Sequence, residues 1–195
     1  MKLPGVSRET MDRLETYATL LARWNRRINL VAANDVPRLW PRHIEDALQL
    51  MPFIPPGIDA LTDLGSGGGI PGLVLAIASG LPVTLVEADQ RKCAFLREAA
   101  RTVQARATIV ASRIEDATLP KAMLITARAL APLERLLGLA APHLAPGGTC
   151  VFLKGATVQD ELTMARRQWH MQASLSPSRT DAQGAILVVT NLERA

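Results

Sequence analysis

Apolar side chains in the first part of the chain recur every three or four residues, which is the spacing of one face of a helix. This pattern predicts a helix over residues 7–31, with Ser7 as its N-cap. A second helix is predicted over residues 35–51, and Asp35 can cap its N-terminus. The chain therefore begins with a pair of amphipathic helices.

A proline-rich segment, PFIPPG at residues 52–57, follows these two helices and interrupts the helical pattern. We expect a domain boundary there. It separates a helical extension over residues 1–56, packed on the core, from a main domain over residues 57–195.

From residue 60 onward, short continuous apolar runs alternate with stretches of helical periodicity. Apolar strands separated by helices are typical of a parallel sheet that is covered on both faces. We therefore predict an α/β fold: a doubly wound, mostly parallel sheet of seven strands that ends in an antiparallel pair. The strands are expected at residues 60–64, 82–87, 107–111, 122–127, 149–154, 169–175 and 184–191. The helices between them are expected at residues 72–79, 90–104, 131–144 and 157–168.

The first predicted strand leads directly into a glycine-rich segment, DLGSGGGIPG at residues 63–72. Glycines let backbone N–H groups approach a ligand closely, and the helix that follows directs its positive end toward that ligand. Ligands of doubly wound sheets bind outside the carboxyl ends of the strands. The segment therefore predicts a nucleotide-binding cleft at this edge of the sheet.

Two kinds of nucleotide are compatible with the glycine pattern. Gly67, Gly69 and Gly72 match the G-x-G-x-x-G fingerprint of dinucleotide-binding enzymes, which would indicate an NAD-dependent oxidoreductase. Asp63, however, would repel a pyrophosphate, whereas a carboxylate suits the cationic amine of S-adenosylmethionine. The chain is also short for a dehydrogenase with a substrate domain, so S-adenosylmethionine is favoured and NAD remains the alternative.

Polar residues follow the predicted strands at the edge where the cleft is expected. Glu87 ends the second strand, about 20 residues after the glycine loop, where an acid binds the ribose hydroxyls of a nucleoside. Ile114 and Glu115, after the third strand, are placed to border the adenine. Arg128 follows the fourth strand, and we expect it to orient the cofactor or the target base.

Composition narrows the class of protein. The chain has 195 residues, and its net charge of +4 permits a polyanionic partner. Only 4% of the residues are aromatic, which disfavours a sheet that stacks RNA bases on its surface. No apolar run reaches the roughly 18 residues of a membrane span, and the N-terminus lacks an apolar signal core, so we expect a cytoplasmic protein. Cys93 and Cys150 are expected to be reduced and buried. We expect no metal, no membrane contact and a monomer.

Seven motifs resemble the RsmG (GidB) methyltransferases when they are taken in chain order: WNRRINL, RHIEDAL, DLGSGGGIPGLVLAI, VEADQRKCAFL, SRIE, ARALAPL and FLKG. The resemblance runs from about residue 14 to Gly155. It implies a Rossmann-like fold of the class I S-adenosylmethionine-dependent methyltransferases. It also implies methylation of N7 of a guanine in 16S ribosomal RNA, as naked RNA or in the small ribosomal subunit.

With the glycine loop, the resemblance predicts contacts to S-adenosylmethionine from Asp63, Gly65, Ser66, Gly67, Gly69, Ile70, Glu87, Ile114, Glu115 and Arg128. Basic positions of the family's cleft, which would contact RNA, are matched by Arg91, Lys92, Arg113 and Lys154. The sequence departs from the family pattern at Val31, Ala47, Met123, Ala127 and Asn191. A methyltransferase that acts on another substrate remains an alternative.

The roles of Arg42, His43 and Asp46 stay open at this point. Arg42 and Asp46 are one helical turn apart, so the group could face the cleft or an RNA backbone. It could equally form ion pairs that dock the extension on the main domain.

Overall fold

The structure, a computed structural model, describes residues 7–195 and contains a seven-stranded sheet. The strands are β1 Leu61–Leu64, β2 Val83–Glu87, β3 Ala107–Ala111, β4 Ala122–Arg128, β5 Leu144–Lys154, β6 Trp169–Pro177 and β7 Ala185–Arg194. The helices are α1 Arg8–Asn25, α2 Glu45–Leu48, α3 Gly72–Ser79, α4 Gln90–Thr102, α5 Leu133–Ala140 and α6 Val158–Ala165.

The strand order is β3-β2-β1-β4-β5-β7-β6, and the first five strands in this order are parallel. Strand β7 runs antiparallel to both β5 and β6. The doubly wound, mostly parallel sheet and its closing antiparallel pair are therefore confirmed. Because the order reverses at β1 and β4, the crevice for a ligand opens above these two strands.

Two apolar layers cover the sheet. One contains α1, α3 and α4 and is centred on buried residues such as Tyr17, Leu73 and Phe95. The other contains α5 and α6, with Leu137 and Phe152 among its buried residues. The described part of the extension shares the first layer with the main domain, while the division of the chain at residues 56 and 57 stays a prediction.

The extension differs most from the expected elements. Ser7 does cap α1, because its hydroxyl accepts the Thr10 N–H at 3.1 Å. The helix, however, ends at Asn25 and not at residue 31. The Asn25 carboxamide oxygen accepts the N–H groups of Leu30 at 2.8 Å and Val31 at 3.0 Å, which turns the chain away from the helix axis.

The second predicted helix, over residues 35–51, is also wrong as one continuous element. Pro37 and Pro41 lack the N–H groups that a regular helix needs, so the hydrogen-bond pattern changes along the segment. It consists of a 3₁₀ turn at Ala33–Arg38, a π turn at Trp40–Ile44, the short α2, and a 3₁₀ turn at Met51–Phe53.

Other boundaries moved by a few residues. Strand β5 begins at Leu144, five residues before the predicted start, and a register shift opposite Ala122 and Leu124 accommodates the extra length. Helix α5 is correspondingly shorter than expected. Cys93 and Cys150 are free and buried, as predicted.

Within residues 7–195, no helix is both long and apolar enough to cross a bilayer. The same part of the chain contains no group of three or more His, Cys, Asp or Glu side chains that could hold a metal ion.

Candidate active site

A cavity of about 540 Å³ opens at the carboxyl ends of the central strands. The glycine loop, Glu87, Ile114 and Arg128 form much of its wall. The extension supplies another part of the wall, from residues that the sequence did not single out as ligand contacts: Leu30, Val31, Ala32 and Asp35. Leu30 and Val31 were predicted to continue α1, which ends at Asn25, and Asp35 was predicted to cap a second helix.

The glycine loop is held in place from both sides. Gly67 has φ of +53°, a conformation in which glycine is favoured, and its N–H points at Glu87. On the side of the extension, the Tyr17 hydroxyl donates a hydrogen bond to the carbonyl of Gly68. The loop is therefore ordered by contacts that do not involve a ligand.

Glu87 ends β2 with its carboxylate at the cavity wall. One oxygen accepts the Gly67 N–H and the other accepts the Asp89 N–H, each at 2.8 Å. Two backbone donors fix the carboxylate in one orientation, and each oxygen keeps a lone pair for a hydroxyl group. This geometry agrees with the ribose-binding role predicted for Glu87.

Asp63 does not reach the cavity. Its side chain is fully buried on the α3 side of β1, where Thr126 donates a hydrogen bond to it at 2.7 Å. Burial raises the pKa of this carboxyl to about 7, although the Thr126 hydrogen bond opposes the shift. The expected direct contact between Asp63 and the cofactor is therefore not seen, because α3 packs over this side chain.

The other predicted cofactor residues fall into two groups. The wall of the cavity includes Gly65, Ser66, Gly67, Ile70, Glu87, Ile114, Glu115 and Arg128. Gly69 lies outside this wall, and its place in the loop depends on packing, since a Cβ there would lie 3.0 Å from Leu73.

Arg128, at the end of β4, links the sheet to the extension. Its guanidinium donates to Asp46 at 2.9 Å, to the Arg42 carbonyl at 3.2 Å and to His43 Nδ1 at 2.7 Å. Burial lowers the pKa of Arg128, and the Asp46 carboxylate offsets part of that effect. The open question about Arg42, His43 and Asp46 is thus answered: the group docks the extension on Arg128.

His43 docks the extension on Arg128, and it also forms part of the cavity wall. Because Nδ1 accepts from Arg128, the neutral ring carries its proton on Nε2, which lies 3.3 Å from Asp35. Burial, together with the charge of Arg128, lowers the pKa of His43 to about 4. The imidazole is therefore neutral at physiological pH.

The predicted RNA-contacting residues are not equivalent. Arg113 is exposed and borders the cavity with Lys92. A smaller cleft of about 310 Å³ adjoins the cavity at Lys92 and is lined by Arg91 and by Arg27, which the sequence analysis did not select. Arg91 is exposed and pairs with Asp89 at 3.2 Å.

Lys154, the fourth predicted RNA contact, is occupied within the protein. Its ammonium group lies 2.5 Å from Glu161 and donates to the Ala131 carbonyl, and only 9% of its side chain is exposed. A free phosphate-binding role for Lys154 is therefore not supported.

Comparison with known proteins places these features in a family. The family model described as rRNA small subunit methyltransferase G matches residues 10–184. A relative from Gluconobacter oxydans named ribosomal RNA small subunit methyltransferase G is 60% identical over 189 residues, which is 97% of each chain. A relative of the same name from Paramagnetospirillum magneticum is 53% identical over 190 residues, covering 97% of this chain and 93% of its own.

Solved structures support the fold at much lower sequence identity. The glycopeptide N-methyltransferase MtfA, solved with S-adenosylhomocysteine, aligns with a TM-score of 0.64 at 13% identity, over 75% of this chain and 89% of its own. Because the family model matches residues 10–184 and the two relatives are 60% and 53% identical, the chain belongs to the rRNA small subunit methyltransferase G family.

Proposed function

We propose that this protein transfers a methyl group from S-adenosylmethionine to N7 of a guanine in the 16S ribosomal RNA of the small subunit. The observation that carries the proposal is the cavity at the carboxyl ends of β1 to β4, with the Glu87 carboxylate fixed at its wall and Arg113 and Lys92 at its border. The names of the relatives agree with a ribosomal RNA substrate. Because the matched family consists of methyltransferases, we no longer consider the alternative of an NAD-dependent oxidoreductase.

The residues of the cavity fit S-adenosylmethionine. Glu87 offers a fixed carboxylate for the ribose hydroxyls, and Ile114 offers an apolar surface for the adenine. The loop leaves room for a ligand at Gly67, where a Cβ would meet no protein atom closer than 3.9 Å, whereas a Cβ at Gly65 would collide with Leu130. Since Asp63 is enclosed, the amine of the methionine part would be bound by other groups at the cavity wall.

The chemistry requires alignment more than proton transfer. S-adenosylmethionine supplies an electrophilic methyl group on a sulfonium, whose carbon–sulfur bond electrons remain on sulfur as the neutral thioether. Guanine N7 carries an in-plane lone pair and no proton, so no side chain has to act as a base. Holding two reactants in near-attack geometry supplies up to about 7–11 kcal/mol. Arg128, fixed by Asp46 and His43, would orient the reactants at this point.

Arg27, Arg91, Lys92 and Arg113 would bind phosphates along the strand that carries the target guanine. Ribosomes and their RNA lie in the cytoplasm, where we expect the protein to act as a monomer.

The test is to incubate the protein with S-adenosylmethionine labelled in the methyl group and 16S RNA or small subunits from a strain that lacks the gene. After nuclease digestion, we expect the label in 7-methylguanosine. Label in another nucleoside, or in none, would overturn the proposal. Arg128→Ala should lower the rate at least about 100-fold, while Arg166→Ala, at an exposed position directly after α6, serves as the control.

A further inference from the structure

A second cavity of about 180 Å³ lies beside the first. Arg128 and Ala129 line both cavities and therefore form part of the wall between them. Ala129 has φ of +49°, a left-handed conformation that costs a residue with a Cβ roughly 1–2 kcal/mol. Such strain is retained where the surrounding structure needs one particular backbone path, and here it follows directly after Arg128.

Three distant parts of the chain assemble this second cavity. Arg42 comes from the extension, Arg128 and Ala129 from the end of β4, and Asp181 from the loop between β6 and β7. Gln49 fixes that loop to the extension, because its carboxamide oxygen accepts the Arg179 N–H at 2.9 Å. The cavity is therefore held open by the protein itself.

Only some of its polar groups are free to bind a ligand. Asp46 accepts from Arg128, Gln49 and Thr180, and only 14% of its side chain is exposed, so it is engaged within the protein. Asp181 and Arg42 pair at 3.0 Å but remain accessible, with 41% and 32% of their side chains exposed.

Asp181 and Arg42 keep unused hydrogen-bonding capacity. Each Asp181 oxygen accepts one hydrogen bond, from Gln183 or from Arg42, and a carboxylate oxygen can accept two. Arg42 likewise has five N–H donors. Lys154 and Arg128 also line the cavity but are held by Glu161 and Asp46. The accessible acceptor and donor are therefore Asp181 and the neighbouring Arg42.

The rest of the lining includes small residues. Ala129, Gly155 and Gly184 contribute little more than backbone, and a Cβ added at Gly155 would meet no atom within 4 Å. Surfaces of this kind accept a flat ring.

An acceptor beside a donor, next to flat walls, matches the Watson–Crick edge of guanine. That edge presents N1–H and the N2 amino group as donors and O6 as an acceptor, whereas adenine presents the reverse order at N6 and N1. We propose that the second cavity holds the target guanine, with Asp181 accepting from N1–H and N2–H and Arg42 donating to O6. Enzymes that modify a base take it out of the stack and read this edge in a pocket. N7 lies on the other side of the purine and stays free to face the Arg128 wall and the first cavity.

This inference rests on the proposed function, so its test begins with the wild-type protein and the digest described above. Formation of 7-methylguanosine shows that the reaction occurs, and strand cleavage with borohydride and aniline then maps the modified guanine in the RNA. A failure to form 7-methylguanosine would count against the proposed function rather than the pocket. The mapped guanine is then replaced by inosine, which lacks only the N2 amino group, by ligating a synthetic fragment into the RNA.

We expect inosine to lower kcat/KM of the wild-type protein about 10- to 100-fold, the usual range for losing one base contact. Asp181→Asn should lose a similar factor on guanine and show little further loss on inosine. Its affinity for S-adenosylmethionine should not change. The control Asp59→Asn alters an exposed acid just before β1 and should keep the wild-type ratio of the two substrates.

The ratio is measured within one protein preparation, so a partly unfolded variant does not distort it. Equal rates of the wild-type protein on guanine and inosine would overturn the inference. A ratio of guanine to inosine rates in Asp181→Asn equal to that of the wild type would also overturn it.

A steric series tests the same pocket independently. Because a Cβ at Gly155 meets open space, Gly155→Ala and Gly155→Leu should both fold and bind S-adenosylmethionine normally. We expect Gly155→Leu to lower RNA methylation at least about 10-fold and Gly155→Ala to have a small effect. A normal rate for Gly155→Leu would show that the guanine does not occupy this cavity.

Discussion

Two acids near the ends of neighbouring strands have opposite environments. Glu87 is the last residue of β2, and its carboxylate reaches the cavity wall. Asp63 lies one residue before the end of β1 and points into the layer beneath α3. At the scale of single residues, the position within the strand therefore decides which carboxylate can meet a ligand.

Glu87→Gln should weaken binding of S-adenosylmethionine. The substitution removes the charge and leaves one oxygen to serve Gly67, Asp89 and the ribose hydroxyls. Hydrogen bonds to charged groups contribute about 1.5–3 kcal/mol, so we expect the dissociation constant to rise roughly 10- to 100-fold. Isothermal titration calorimetry measures it.

Glu98→Gln provides the control, since Glu98 pairs with the exposed Arg23 on the outer surface of α4. An unchanged dissociation constant in Glu87→Gln would contradict the ribose-binding role.

Asp63→Asn should change how stability depends on pH. The pKa of Asp63 is about 7 in the folded protein and about 3.9 in an unfolded chain, so the folded state binds more protons between these values. Its contribution to the free energy of unfolding is therefore present below about pH 4 and is lost as the pH rises through about 7. Relative to the wild type, Asp63→Asn should gain stability over this window.

Urea denaturation at several pH values measures this difference. Comparison with the wild type is needed because His43, with its pKa lowered to about 4, acts in the opposite direction over an overlapping range. Asp59→Asn should reproduce the wild-type profile. A constant difference between Asp63→Asn and the wild type across this range would show that Asp63 has an ordinary pKa.

At the scale of secondary structure, the contact between β1 and α3 places the glycine loop. Gly72 begins α3 and touches Asp63 so closely that a Cβ would lie 2.4 Å from the Asp63 Cβ. Glycine at this position therefore allows α3 to pack closely on β1 and does not serve ligand approach. The last glycine of the dinucleotide-binding fingerprint has the same packing role.

Gly72→Ala should consequently destabilise the protein. Overpacking a core costs typically 1–3 kcal/mol, which lowers the melting temperature by several degrees in a chain of this size. Gly138→Ala is the matched control, because Gly138 lies within α5 and its nearest neighbour would be Trp169 at 3.9 Å. Alanine loses less backbone conformational entropy on folding than glycine, so Gly138→Ala should be stabilised by about 0.5–1 kcal/mol.

Differential scanning calorimetry compares the two variants. A melting temperature of Gly72→Ala equal to that of Gly138→Ala would contradict the packing argument.

At the scale of the whole molecule, the extension completes the site. Residues 30–32 and His43 line the first cavity, Arg42 lines the second, and Arg128 joins them to the sheet through Asp46. Arg113 and Lys92 border the first cavity, and Arg27 and Arg91 line the cleft that adjoins it. We therefore expect the same junction to organise the binding of both RNA and the cofactor.

The salt dependence of RNA binding should separate accessible from occupied basic residues. Each phosphate contact contributes about 0.7–0.9 to the slope of log affinity against log salt concentration. Arg113→Gln and Lys92→Gln should each reduce the slope by roughly one contact. Lys154→Gln should leave the slope unchanged but lower stability, because Glu161 loses its buried partner.

Fluorescence anisotropy with a labelled 16S RNA fragment over a range of potassium chloride measures these slopes. If Lys154→Gln reduced the slope as much as Arg113→Gln, the internal pairing of Lys154 would not persist in the complex.

The sequence by itself determined the parallel sheet, the glycine loop and the place of Glu87. These features depend on local patterns: continuous apolar runs such as residues 150–153 of β5, and glycines directly after β1. Motif resemblance also identified the family correctly, because the motifs keep their order along the chain.

Only the tertiary structure decided which residues meet. The burial of Asp63, the pairing of Lys154 with Glu161 and the contact of Arg42 with Asp181 join positions that no local pattern relates. The early end of α1 depends on one side chain, Asn25, which turns the chain so that residues 30–32 can close the cavity. Side-chain direction and long-range pairing are settled by packing against elements that are distant in sequence, and for that reason the walls of both cavities became visible only in the folded chain.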